Sequence, residues 1–300
     1  MNGMRWLVLL LSVALHAQTV PAVPATQAAA TVAPDRFWCP MHPNVRSPLE
    51  GSCPICRMTL VPIPPPTVGE YRMDVTPHAA GRGGGFDGLR LAFYEPGSNR
   101  PAPAFVTVHE KPLHLFIVGR DLEYFAHLHP EETGGATFDL RHDIPPGEYM
   151  VIADFVASNG TPQTLQRAIV TPGRNVSQPV RTPVPHASGA GAVTATDVKV
   201  TMEARDLAAG KFASLRFAVA DATTGAPVTD MEPYLAAPAH VLLVSADLTY
   251  ATHGHPDEEN TRGPIVSFDL LMPVPGFYKV WLQVQRRGRV QTLPFVVQVK

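Results

Sequence analysis

Three cysteines, Cys39, Cys53 and Cys56, lie within eighteen residues of one another, and no other cysteine occurs in the 300-residue chain. Cys39 and His42 are separated by two residues, and so are Cys53 and Cys56. That spacing lets both side chains of a tight turn point at one ion, and two such turns make the tetrahedral thiolate and imidazole site of a zinc-ribbon-like module. So short a segment has almost no core of its own, so metal binding would supply much of its folding free energy. Met41 and Met58 stand beside the two ligand pairs. As soft thioethers they would favour Cu(I), whereas three thiolates and one imidazole suit Zn(II); their other use is to pack the module's small apolar interior. A disulfide between two of the cysteines, with the third left over, is the competing chemistry. An odd, clustered set argues for ligation instead.

A second set of metal-ligating side chains recurs along the chain: His114, His127 and His129, then His240, His253 and His255, each 126 residues after its counterpart. Residues two apart on a strand share a face, so each His-x-His pair presents two imidazoles together. A hairpin turning at Arg120-Asp121 sets His114 opposite His127, with His129 diagonal at roughly 7–8 Å. A turn at Ala246-Asp247 does the same for His240 and His253. Three convergent imidazoles suit Zn(II) or Cu(II). The alternative is that they hold a strand end by hydrogen bonds. His78, His109, His142 and His186 have no counterpart in the other copy and read as surface residues.

The elements that must carry these residues are short strands. Leu89–Phe93 answers Leu215–Val219 and Pro112–Pro130 answers Pro238–Pro256 at one offset, so two stretches of about 100 residues read as repeated domains. Within each, runs rich in Val, Leu, Phe and Tyr are punctuated by Gly, Pro, Asn and Asp about every ten residues. That is the pattern of an immunoglobulin-like antiparallel β-sandwich, with a barrel as the alternative. The expected fold class is therefore mainly β: a small metal module followed by two repeated sandwiches. Charged residues make up only 17% while prolines number 32, which suits strands, turns and stiff linkers rather than helices.

The organisation follows from these breaks. Residues 1–17 read as a signal peptide, with Arg5, an uncharged run Trp6–Leu15 and a small residue at Ala17. Residues 18–36 are a disordered linker, 37–62 the metal module, 63–70 a Pro-rich linker, 71–172 the first sandwich, 173–194 a linker and 195–300 the second sandwich. The expected location is periplasmic or secreted, with no membrane span after signal cleavage. A net charge of −2 without a basic stripe gives nucleic acid no footprint.

Cys39-Pro40-Met41-His42-Pro43 followed by Cys53-Pro54-Ile55-Cys56-Arg57-Met58 resembles the short heavy-metal-binding domain of bacterial copper and silver efflux proteins. The resemblance covers about a tenth of the chain. It implies metal binding at Cys39, His42, Cys53 and Cys56, with the two methionines as soft contacts and envelope metal-efflux components as partners. Arg57 departs from the family's usual glycine, which takes a positive φ readily.

The function expected is non-enzymatic: an exported protein that chelates, delivers or confers resistance to a heavy metal, copper or zinc, with copper favoured. A structural or interaction protein of the envelope with a structural zinc module is the second reading. A metal-dependent hydrolase, using Glu131, Glu132, Asp257 or Glu258 beside the histidines, is the third.

Overall fold

The computed structural model describes residues 35–39, 45–54, 59–63, 70–78, 84–158, 162–173, 190–256 and 261–300, and all of its regular elements are strands. Among these residues no helix is long and apolar enough to cross a membrane. The expected signal peptide lies outside them.

The metal module is a three-stranded sheet of β1 (Phe37–Trp38), β2 (Arg46–Ser47) and β3 (Val61–Pro62), with β1 in the centre. Its core consists of Phe37, Cys39, Cys53 and Leu60 with Val45 packed against them. So small a core makes the buried thiols part of the packing as well as candidate ligands.

The first sandwich pairs two four-stranded antiparallel sheets. One contains β4 (Arg72–Pro77), β5 (Phe86–Tyr94), β9 (Thr137–Ile144) and β8 (Glu131–Gly134), in that order. The other runs β11 (Pro162–Thr171), β10 (Gly147–Val156), β6 (Leu113–Gly119), β7 (Phe125–Leu128). In the second sandwich, β12 (Ala190–Thr194), β13 (Val198–Arg205), β14 (Lys211–Asp221) and β17 (Ile265–Met272) form one sheet. Strands β16 (Ala251–Gly254), β15 (Ala239–Ser245), β18 (Gly276–Arg286) and β19 (Arg289–Val299) form the other. β12 occupies the last five residues of the stretch read as linker, because its backbone pairs with β13 from Ala190↔Glu203 to Thr194↔Lys199.

The alternation along the central strands explains how the sandwiches meet. Leu113, Leu115 and Ile117 of β6, with Tyr149, Val151, Ala153 and Phe155 of β10, fill the first core. The intervening Phe116, Val118 and Ile152 point the other way and are equally buried. In the second sandwich Val241, Leu243, Val280 and Leu282 fill the core, while Leu242, Val244 and Trp281 turn outward. These outward residues form one cluster with Leu122, Leu248 and Ala251, so the β6–β10 and β15–β18 sheets pack face to face. Burial on both faces accounts for the unbroken apolar runs Leu115–Val118 and Val241–Val244, which directly follow His114 and His240.

Both hairpins that carry the histidines turn one residue later than the sequence suggests. In the first, the Gly119 amide donates to the Tyr124 carbonyl at 2.9 Å, Leu122 takes φ 60°, and its amide donates to the Gly119 carbonyl at 2.8 Å. The second repeats this with Leu248 at φ 62° and its amide 2.9 Å from the Ser245 carbonyl. A leucine tolerates this unfavourable backbone because its side chain is buried in the cluster between the sandwiches. The register therefore moves by two, setting His127 opposite Phe116 and His253 opposite Leu242. An even shift leaves every side chain on its face, so the histidines still converge.

Candidate metal centre

His114 and His240 sit in the central strands β6 and β15, almost fully buried at 2% and 1% exposure. The edge strands β7 and β16 supply His127 and His253, and the residues that follow supply His129 and His255. The structure gathers them as two triads, His114–His127–His129 and His240–His253–His255, each with one nitrogen per ring within 4.8 Å of the others. The triads face each other across the seam between sandwiches: ring centroids are 5.0 Å apart for His114 and His253 and 5.5 Å for His127 and His240.

The protons on these rings can be assigned from their neighbours. His114 Nε2 lies 3.0 Å from the Val108 carbonyl, and His240 Nε2 lies 2.8 Å from the Tyr234 carbonyl. A carbonyl only accepts, so both Nε2 atoms carry hydrogen. His127 Nδ1 is 2.7 Å from Gln283 Oε1, and the Gln283 amide nitrogen is held toward Thr292 Oγ1 at 3.0 Å, which orients the oxygen toward the ring. His253 Nδ1 donates to Asp154 Oδ2 at 2.9 Å. Each neutral ring has then used its one N–H pointing outward. The inward nitrogens, His114 Nδ1 facing His127 Nε2 and His240 Nδ1 facing His253 Nε2, are both 3.1 Å apart and both bear lone pairs.

Two lone pairs at that distance repel unless a cation lies between them. Metal–imidazole bonds of about 2.0–2.1 Å at angles near 90–110° put two ligand nitrogens ~2.9–3.4 Å apart, which brackets the observed separation. His129 Nε2 and both nitrogens of His255 are buried with no hydrogen-bond partner among the described residues. Buried polar atoms are ordinarily satisfied, so these are the atoms that a bound ion would explain. The outward bonds to carbonyl, amide and carboxylate are the supports that fix tautomer and ring orientation around metal-binding histidines.

Burial keeps the rings neutral. It holds His114 below the ordinary histidine range, and with neighbouring imidazoles it pushes His127, His240, His253 and His255 far below that range and His129 down to about 3. Burial also raises Asp154, to about 6. Histidines with folded values below the unfolded value of about 6.5 bind protons first in the unfolded state, so they destabilise the fold as pH drops through 6.5. Asp154 acts in the opposite sense, one group against six. Chelator-treated protein should therefore lose stability steadily between pH 7 and pH 5 in urea unfolding; a flat profile would contradict burial of neutral rings.

In the metal module, Cys39 follows β1 and is fully buried, its amide donating to the Val45 carbonyl at 3.0 Å. Cys53 is 1% exposed and directly follows Ser52, which is bridged to Thr59. Two thiols in one small core fit a soft-metal site. His42, Cys56, Met41 and Met58 lie outside the described residues, as do Asp257 and Glu258.

The reading of His109 as a surface residue is corrected: it is 9% exposed, and its ring stacks on His255 with centroids 3.8 Å apart. It reaches there on a turn in which His109 and Glu110 both have positive φ, 47° and 67°. His78 pairs with Asp139 at 3.0 Å and His142 with the Tyr124 hydroxyl at 2.8 Å, so neither is a loose surface group. His186 lies outside the described residues. Sequence reasoning also missed Asp154 and Gln283. The only signal in the sequence is that each is a polar residue within an apolar strand; that they lie opposite His114 and His240 is set by the strand register.

Comparison with known proteins agrees with the module. Residues 36–63 match the heavy metal binding domain. Residues 193–300, which hold His240, His253 and His255 behind that heavy metal binding domain, match a domain of unknown function, DUF8832. No curated protein matches the chain. Similar solved structures include a segment of two fibronectin type-III domains from chicken tenascin, 12% identical over 76% of this chain and 98% of that one, with a TM-score of 0.19. Another is the fibronectin(III)-like modules of Clostridium thermocellum CbhA, 11% identical over 77% of this chain and 94% of that one, with a TM-score of 0.21.

Proposed function

We propose that this chain is an exported metal-binding protein of the cell envelope, which holds copper at its cysteine module and at two histidine triads, and acts as a chelator or carrier rather than a catalyst. The observation that carries this reading is the pair of inward-facing imidazole nitrogens, 3.1 Å apart in both triads, whose partner nitrogens already donate outward. Neutral imidazoles accept Cu(II) and Zn(II) alike, and Cu(II) binds nitrogen donors more tightly in the divalent series. Thiolates flanked by Met41 and Met58 favour a soft ion in the module. Binding is favoured over turnover because Asp154, the carboxylate hydrogen-bonded to a triad, is held by His253 and Thr164 and is not poised as a base. Glu131 and Glu132 are exposed on β8.

Metal analysis of protein produced with copper and zinc tests this. The expected result is three equivalents for the wild type, two for Cys39/Cys53/Cys56→Ser, and one for His127/His129/His253/His255→Ala. If the histidine variant keeps the wild-type stoichiometry and only loses stability, the triads are structural and the reading fails.

A further inference from the structure

The two triads are built alike but supported differently. Behind the first stands Gln283, a neutral amide contributed by the second sandwich. Behind the other stands Asp154, a carboxylate contributed by the first sandwich and held in turn by the Thr164 hydroxyl at 3.2 Å. These two residues occupy matching places, Asp154 opposite His114 and Gln283 opposite His240. A second difference runs the same way. The turn that brings His109 onto His255 is repeated in the second sandwich, where Leu235 and Ala236 take φ 50° and 57°, so an apolar Leu235 stands where the first has an imidazole. His255 makes no hydrogen bond from either nitrogen among the described residues, and the His109 ring stacks on it, 30° from parallel.

We infer that the triads are unequal metal positions, and that His240–His253–His255, backed by Asp154 and by His109, is the tighter one and fills first with a divalent ion. This rests on the proposed reading that the triads bind metal. A carboxylate accepting the Nδ1 hydrogen makes the opposite nitrogen of His253 a stronger donor and supplies a counter-charge beside a buried dication; an amide supplies the hydrogen bond without the charge. The second position fills against the field of the first, since rings of opposite triads lie as close as 5.0 Å in a buried seam where charges are poorly screened. Occupancy is therefore sequential. Each support crosses the seam, so each position depends on the sandwich that does not supply its ligands.

The test uses full-length protein carrying Cys39/Cys53/Cys56→Ser, so that the module does not compete, and Zn(II) titrated against a chromogenic chelator. Adding His129→Ala leaves the Asp154-backed triad, and adding His255→Ala leaves the Gln283-backed one. The first variant should bind Zn(II) about 10-fold or more tightly than the second, and isosteric Asp154→Asn in the first should weaken binding about 10–100-fold. Gln283→Glu in the second should strengthen it. Near-UV circular dichroism of the metal-free variants checks that the sandwiches remain docked, and Asp154→Asn made also in the thiol-free parent, which carries no alanine substitution, should weaken its tighter site even where an alanine variant folds poorly. Equal affinities, the reverse order, or no effect of Asp154→Asn would overturn the inequality. So would loss of all binding in both single-triad variants while the thiol-free parent still binds. If that parent binds no Zn(II) at all, it is the proposed function that falls.

Discussion

Zn(II) added to chelator-treated protein at a thousand times its dissociation constant should raise the unfolding free energy by about 4.1 kcal/mol for each triad filled. For folded units of this size that corresponds to roughly 8–16 °C in the unfolding midpoint. The effect is large because binding and docking draw on the same groups. The His127–Gln283 and His253–Asp154 bonds both cross the seam, so an ion that fixes His127 and His253 also fixes the residues of the opposite sandwich that support them. Unfolded chain keeps the histidines but not their convergence, and it binds the ion far more weakly. Scanning calorimetry with and without Zn(II) measures the shift. The variant His127/His129/His253/His255→Ala should show no shift beyond that of the cysteine module. A full shift in that variant would place the stabilising ion elsewhere.

Much of this arrangement was legible in the residues, and the part that was not has a physical cause. The offset between His114 and His240 identified the triads, and period-two spacing put His127 and His129 on one face even with the hairpin register read two residues wrong. The error came from Leu122 and Leu248. Nothing in a leucine announces a positive φ, and here the left-handed conformation is sustained by burial against the other sandwich, which is a tertiary fact. The same limit hid the supports. Asp154 and Gln283 could be seen as polar residues in the runs Tyr149–Phe155 and Tyr278–Val284, but their partners are on the opposite sandwich, and no local pattern states which sheets will face each other. His109 was misread because its counterpart is Leu235. Recurrence is a good signal for features the two sandwiches share and a poor one for the features that distinguish them.

Replacing Trp281 with alanine should be the most damaging single change at the seam. Its side chain, 3% exposed, leaves β18 on the face away from its own core, opposite Leu242 in register, and stacks on Phe125 of the first sandwich with centroids 5.0 Å apart at 21°. Truncating a buried aromatic of this kind costs about 3–5 kcal/mol, from lost burial and the cavity left behind. The second core, built from Val241, Val280, Leu282 and their neighbours, does not include it, so the loss falls on docking. With the seam loosened, Gln283 no longer holds His127 and Asp154 no longer holds His253, and Zn(II) affinity at both triads should fall together. Trp281→Phe, which can still stack on Phe125, should recover most of both. Urea unfolding and chelator competition on the same samples separate the outcomes. Lower stability with undiminished affinity would mean that each triad is complete within its own sandwich, and the supports across the seam would then have no part in holding the ion.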